Sequence, residues 1–431
     1  MPKPANPSAL GHPVNIGVSP VDVDTPRPLA FDVQARIDAI DHVAMRGYRL
    51  ARLRAQLTKR DYAGALLADP MNIRYATGVR NMVLWTLHAP GRYVFVATDG
   101  PVVLFEFPSC LHVGRDFETV DQLRAGISWF YMFGGPRTAE KAARWAREVA
   151  VLMHDYAGAN RRLAIDRCEP WGAAELAAHG IQLFDAQEPL EQARCIKSAQ
   201  EIECVRLSMD VCDVAIQRLK AALRPKLTEN QIWSTLHDTN IAHDGEYIDC
   251  RLLASGPRTN PWFQECGNRV VEAGELLSFD TDLIGPLGAM SDISRTFVCP
   301  GKLPTSSQRH LYSMAQEQVL HNMALLKPGL SFDEFAAKSW RVPAKYFATR
   351  YMVLVHGVGL ADEYPAVLYA GDQEKEGYDG YFAENMVVSV ESYLGAEGGN
   401  EGIKLEEQVL ITANGAIPLS KTPLVDALEI K

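Results

Sequence analysis

The chain has 431 residues, 47% of them hydrophobic and 22% charged, with 53 acidic against 43 basic side chains and a formal net charge of −10. That length predicts two or three domains, or one large enzyme domain with an appendage, and excludes the small scaffolds that depend on disulfides or metals to fold. The acidic balance, without any long Lys/Arg block, excludes nucleic acid and anionic membranes as the main partner, because both need clustered positive charge.

In chain order, residues 1–34 come first and carry seven prolines within MPKPANPSALGHPVNIGVSPVDVDTPRP, with no apolar signal-peptide core. They read as an extended N-terminal arm. No run of about 18 apolar residues follows anywhere, so no transmembrane helix is expected. Ile37 to Lys59 places Ile37, Ile40, Val43, Leu50, Leu53 and Leu57 at helical spacing and reads as one amphipathic helix. A short apolar run, Gly64 to Leu67, precedes a strand pair, Arg92 to Thr98 and Val102 to Phe107, that turns at Asp99-Gly100. Two further strands, Arg161 to Asp166 and Ile181 to Asp185, flank a helix-like segment. Residues 35–194 therefore read as an α/β domain and 195–431 as a second, catalytic one.

The second domain opens with helices over Ile202 to Leu223 and Glu229 to His243, the latter capped by Thr228. A third, Ser306 to Leu326, has a Thr305/Gln308 capping box and a Pro328-Gly329 stop. Strands are expected over Tyr247 to Ala254, Glu275 to Leu283, Met290 to Val298, Tyr351 to Val355, Met386 to Tyr393 and Gly402 to Thr412. Long helices with a run of hairpin-like strands predict an antiparallel or mixed sheet backed by helices, an α+β layout. The eight cysteines are scattered, with no CxxC pair and no zinc-knuckle spacing, as expected of reduced thiols in a cytoplasmic protein.

The chemistry concentrates on those strands. Asp280 and Asp282 in LSFDTDLIG are two apart, so on one strand they project from one face, and Asp292 in AMSDISRTF lies across a Gly-Pro turn. His356 ends the apolar strand YMVLV, while Glu391 in VVSVESY and Glu406 in GIKLEEQV interrupt strands otherwise written in Val, Ile and Leu. Each acid alone reads as a solvent-facing strand residue, and His356 alone as a core histidine. As a set they are hard to keep ionised in apolar strands without cations, which makes an oxygen-rich metal site the competing reading. Parity leaves Glu406 and Glu407 undecided, since one must face each way.

The order DTDLIGPLGAMSDISRTF, VHGVGL, VVSVES, GIKLEEQVLIT resembles the Asp, Asp, His, Glu, Glu series of the pita-bread superfamily, which contains methionine aminopeptidase, Xaa-Pro aminopeptidase, prolidase and creatinase. Upstream, GALLADPMNIRYATGVRN and CIKSAQEIECVRLS are similar to the N-terminal domain and entry helix of the creatinase and prolidase branch. The resemblance runs from about Ala35 to the C-terminus. It implies a C-terminal pita-bread fold behind a creatinase-type α/β domain, with Asp282, Asp292, His356, Glu391 and Glu406 as ligands of two divalent metals. It also favours Glu406 over Glu407, and a homodimer.

The pattern departs from the peptidases of that superfamily at several places: the usual Glu-Pro is Glu391-Ser392, the usual Arg before the last Glu is Lys404, and Asp280 and Asp282 lie 12 and 10 residues before Asp292 instead of the usual 11. Where they carry a second, amide-handling histidine after GxGL, this chain has Asp362; where an earlier histidine is expected, SGPRTNPWFQE has Trp262 and Phe263. Asp280 adds a carboxylate to the metal set. This combination resembles the dimethylsulfoniopropionate (DMSP) lyases of the superfamily, which implies cleavage of DMSP to dimethyl sulfide and acrylate with Asp362 as base. A carboxylate-bound, doubly metallated substrate is suited to removal of the adjacent carbon-bound proton. The dimethylsulfonium end donates no conventional hydrogen bond and suits aromatic faces, for which Trp262, Phe263 and Tyr351 are the candidates. The donor set suits Mn, Fe, Co or Zn, with iron or zinc expected. The rivals are an Xaa-Pro dipeptidase or creatinase-like hydrolase, which the retained ligands favour and the missing histidines oppose, and an inactive binding module.

Overall fold

The computed structural model describes residues 31–424. The expected arm lies outside the described residues apart from 31–34, of which Val33 and Gln34 already belong to a helix, Val33–Asp38. The single helix expected over Ile37 to Lys59 is two, because Asp41 caps a new start: its carboxylate accepts from Ala44 N, and the second helix runs His42–Lys59. A short acid beside free amide groups competes with continuation of the preceding turn.

The N-terminal half builds a mixed sheet of six strands: β1 Gly64–Leu67, β2 Tyr93–Ala97, β3 Val102–Glu106, β4 Gln122–Ala125, β5 Arg162–Ile165 and β6 Gln182–Asp185. Its order is β4-β3-β2-β1-β5-β6. Alternation along β1 sends Ala65 and Leu67 to a core shared with Leu53 and Leu57 of the second helix. Leu66 points the other way, with Phe95, Val103 and Phe105, toward Trp145, Val149 and Leu152 of the helix Thr138–Ala157. Both faces are covered, which is the α/β arrangement expected.

In the C-terminal half the strands are β7 Tyr247–Ile248, β8 Leu253–Ser255, β9 Leu276–Asp280, β10 Leu283–Ile284, β11 Met290–Ser291, β12 Ser294–Val298, β13 Val353–Val358, β14 Asp362–Leu368, β15 Val387–Gly395, β16 Gly402–Thr412 and β17 Gly415–Pro418. Five form an antiparallel sheet in the order β14-β13-β15-β16-β17, and two three-stranded sheets, β11-β10-β7 and β12-β9-β8, lie against it. The helices Ala199–Ala222 and Glu229–Ala242 pack one hydrophobic core with β9 and β10, and Ser306–Leu325 packs another with β15 and β16. Both capping boxes at Thr228/Gln231 and Thr305/Gln308 are made. The polar groups cluster where β9, β13, β15 and β16 meet.

The two halves meet through the segment between the helices Gln187–Arg194 and Ala199–Ala222. Arg49 of the second helix donates to Glu201 at 2.7 Å, with both side chains buried.

Candidate metal centre and its cavity

The carboxylates converge by two different routes. Glu391 and Glu406 are direct cross-strand partners on β15 and β16, and His356 on β13 pairs with Ser389 on the other side of β15. Opposite residues of neighbouring strands share a face, so all three side chains point to the same side. His356 Nε2 lies 3.4 Å from Asp292 Oδ2, 3.4 Å from Glu391 Oε1 and 3.5 Å from Glu406 Oε1.

Asp280 and Asp282 do not share a strand face, contrary to the expectation from their spacing. β9 ends at Asp280, and Asp282 sits at φ 34° between β9 and β10. A non-glycine residue in that region is strained, and the kink, not alternation, turns its carboxylate inward. Asp292 occupies the matching break between β11 and β12. Its N–H donates to Gln408 Oε1 at 2.9 Å, and its carbonyl accepts from Ser389 Oγ at 2.8 Å. Asp280, Asp282 and Asp292 each bring a carboxylate oxygen within 4.8 Å of the others, as do His356, Glu391 and Glu406 among themselves.

Glu406 and Glu407 part as strand alternation requires. Glu407 turns to the far side, where Arg295 Nη2 donates to it at 2.7 Å and burial raises its carboxyl to about 7. Glu406 faces the cluster, where burial would raise its carboxyl but Lys404 and His356 hold it well below the usual range.

Lys404, marked in the sequence only as standing in place of the family's usual arginine, also belongs to this centre. Its ammonium group donates to Glu391 Oε2 at 2.6 Å, to Ser294 Oγ at 2.7 Å and to Glu406 Oε2 at 3.1 Å, and lies 3.2 Å from Asp280 Oδ2. The available signal was parity: Lys404 and Glu406 are two apart on an otherwise apolar strand and share a face.

The residues fit two divalent cations on charge and on valence. Five carboxylates, Asp280, Asp282, Asp292, Glu391 and Glu406, against one buried ammonium leave four negative charges, the charge of two such ions. Asp292 Oδ1 and Glu406 Oε1 are buried with no hydrogen-bond partner among the described residues, a costly state that a cation relieves. In the protein alone, burial and the neighbouring acids raise Asp280, Asp292 and Glu391 above the usual carboxylate range. Burial alone would lower His356, but its contacts with Glu391 and Glu406 raise it well above its ordinary value.

A cavity of about 690 Å³ opens beside this centre, lined by His356, Asp362, Phe263, Tyr351, Tyr364 and Tyr378 among others. Asp362 begins β14 and turns its carboxylate to the cavity, 59% exposed, with Oδ1 3.3 Å from His356 Nδ1. Burial against the acidic centre raises its carboxyl, an effect His356 opposes. Phe263 stacks on Tyr351 with centroids 5.3 Å apart, and both reach the cavity. Trp262 does not: it is 5% exposed and packs beneath, against Tyr393. The cation on these rings is Lys404, 4.5 Å from the centroid of Tyr351 and 5.8 Å from that of Trp262. Trp262 therefore belongs to the core under the site. A second stacked pair, Tyr364 and Tyr378 at 5.6 Å, lines the same cavity and had not been singled out, although Tyr364 stands two residues after Asp362.

A six-stranded α/β half, an antiparallel sheet backed by helices and an oxygen-rich centre with one histidine define the class. Residues 203–413 match metallopeptidase family M24, and residues 49–196 match the creatinase/prolidase N-terminal domain. The crystal structure of dipeptidase PepE from Mycobacterium ulcerans superimposes with a TM-score of 0.72 at 21% identity, covering 89% of this chain and 98% of that one. The chain belongs to the M24 superfamily and has its pita-bread fold, an α+β fold behind an α/β domain.

Within it the relationship is narrower. Dimethylsulfoniopropionate lyase DddP of Roseobacter denitrificans is 40% identical over 410 residues, 94% of this chain and 92% of that protein. The DddP lyase of Roseovarius nubinhibens is 38% identical over the same shares. The chain is a member of this DMSP lyase family of M24 proteins.

Proposed function

We propose that the chain is a metal-dependent DMSP lyase that eliminates dimethyl sulfide from dimethylsulfoniopropionate and leaves acrylate, with Asp362 as general base. The observation that carries the reading is the position of Asp362: a carboxylate open to the cavity, beside the acidic centre, where the peptidases of the superfamily place an amide-handling histidine. The 40% identity to a DMSP lyase over nearly the whole chain supports the same substrate.

Asp280, Asp282, Asp292, His356, Glu391 and Glu406 are the residues assigned to hold two divalent metals, iron or zinc by preference over manganese or cobalt. When bound, the metals supply Lewis-acid stabilisation of charge developing on the substrate carboxylate. Asp362 removes a proton from the carbon next to that carboxylate. Its electron pair forms the double bond of acrylate as the bond from the adjacent carbon to sulfur breaks, and that bonding pair leaves on neutral dimethyl sulfide. Phe263 and Tyr351 offer faces for the dimethylsulfonium group.

The reading includes a cytoplasmic homodimer. All eight cysteines are free, and no helix among the described residues is long and apolar enough to cross a membrane. Met82, Leu84, Tyr131, Met132 and Phe133 of the N-terminal half are exposed apolar side chains that a second copy would cover.

Headspace dimethyl sulfide from metal-loaded protein and DMSP tests the function, with an Xaa-Pro dipeptide in parallel. Release of dimethyl sulfide is expected. Dipeptide turnover without it would replace the lyase by a hydrolase, and silence on both would favour a binding module.

A further inference from the structure

Next to Asp362 stands an acid that faces the opposite way. Glu363 has a side chain 1% exposed and is gripped by two cations from the segment joining the halves: Arg194 Nε donates to its Oε2 at 3.1 Å, and Lys197 Nζ donates to its Oε1. Arg194 also donates to Glu191 on its own helix and to Asn72 of the N-terminal half. Asn72 is tied in turn to Asp166 at 3.0 Å.

The same anchor reaches the backbone of β14. The β13–β14 register jumps from Gly357↔Glu363 to His356↔Ala366, so Tyr364 and Pro365 are extra residues on β14, a bulge. Tyr364 N donates to Glu191 Oε2 at 2.8 Å and pins that bulge to the helix that ends in Arg194. Bulges re-aim the side chains beside them. At the turn, a Cβ on Gly359 would stand 2.4 Å from Glu363 Oε1, so the buried carboxylate lies directly against the backbone that leads into Asp362.

Successive strand residues point to opposite faces, so fixing one fixes the direction of the next. We infer that Glu363, clamped by Arg194 and Lys197, is the positioning residue that presents Asp362 to the cavity beside His356. The inference rests on the reading of Asp362 as the base.

The test is Lys197→Met in the full-length, metal-loaded protein, with Lys197→Arg as the conservative variant and Asp362→Asn alongside. For Lys197→Met, kcat for dimethyl sulfide release should fall by about tenfold to a hundredfold, the scale of a misplaced reacting group. KM should stay within about twofold and metal content should match the parent protein, since Lys197 itself neither lines the cavity nor belongs to the acidic centre. Lys197→Arg should recover most of kcat. A crystal structure of metal-loaded Lys197→Met should show Asp362 Oδ1 moved away from its 3.3 Å contact with His356 Nδ1. A lowered melting temperature with unchanged kcat, or Asp362 found in place, would overturn the clamp. An active Asp362→Asn would instead end the base reading and leave the crystal structure to decide the clamp; an inactive Asp362→Asn with an unaffected Lys197→Met would end the clamp alone.

Discussion

Asp362 Oδ1 lies 3.3 Å from Nδ1 of His356, the ring nitrogen turned away from Asp292, Glu391 and Glu406. The imidazole thus stands between the acidic centre and the proposed base, and the contact allows Asp362 either to remove the substrate proton or only to orient a metal-binding histidine. Asp362→Asn and Asp362→Ala separate the two. Turnover of DMSP should fall by at least about a hundredfold, as for loss of a general base, with metal content unchanged. Loss of metal from these variants would make Asp362 part of the centre and not the base.

The centre itself predicts a coupling of metal to stability. Anything that binds only the folded state stabilises it, by about 2.7 kcal/mol at a hundredfold excess over Kd, and the unpaired charges left behind add to the effect of removal. Chelation should lower the melting temperature by at least roughly 5 °C, reversed by added divalent metal. Glu391→Gln should reduce metal content measured by elemental analysis, whereas Glu407→Gln, on the Arg295 side of β16, should not. Equal losses from both would show that the face of β16 does not decide ligation.

The aromatic residues divide by depth. Phe263→Ala and Tyr351→Ala should raise KM for DMSP by roughly 2- to 30-fold, the equivalent of about 0.5–2 kcal/mol for one cation–ring contact. Trp262→Ala should act mainly on stability, at about 3–5 kcal/mol for a buried large-to-small change, because that ring is 5% exposed and sits in the core. A Trp262 variant of normal stability with a raised KM would return it to the substrate site.

Asp166 predicts a pH dependence of stability remote from the metals. Burial raises its carboxyl from 3.8 to about 6, opposed by the Ala68 and Asp69 amides and the Asn72 side chain. Because the folded state holds the proton more tightly, the group costs nothing below the unfolded value. The cost grows as pH rises toward about 6, reaching roughly 3 kcal/mol for two units at about 1.4 kcal/mol each. Unfolding free energy relative to Asp166→Asn should therefore drop by about that amount between pH 4 and pH 7, read from denaturant curves. Parallel pH profiles for the two proteins would remove Asp166 from the account.

Local features were the most legible in the chain. The helices Glu229–Ala242 and Ser306–Leu325 start where Thr228 and Thr305 cap them, because capping is decided within four residues. β16 runs from Gly402 to Thr412 as its apolar pattern predicts. The helix break at Asp41 was equally local and was overridden by the longer apolar period on either side of it. The role of Lys404 was legible only in part: parity places it on the face of Glu406, but the carboxylates it meets on neighbouring strands depend on the fold.

By itself the sequence determined the superfamily and pointed to the residues proposed for the chemistry: acids and one histidine set in apolar strands, in a fixed order. Tertiary structure decided how they meet. Asp282 turns inward through a strained kink, Lys404 lies among three carboxylates from β9, β15 and β16, Trp262 is withdrawn into the core, and Glu363 is held by the segment joining the halves. The physical reason is range. Capping and alternation act over a few residues, whereas the charge balance of a buried site also depends on groups such as Asp280 and Lys404, far apart in the chain, that only folding brings together.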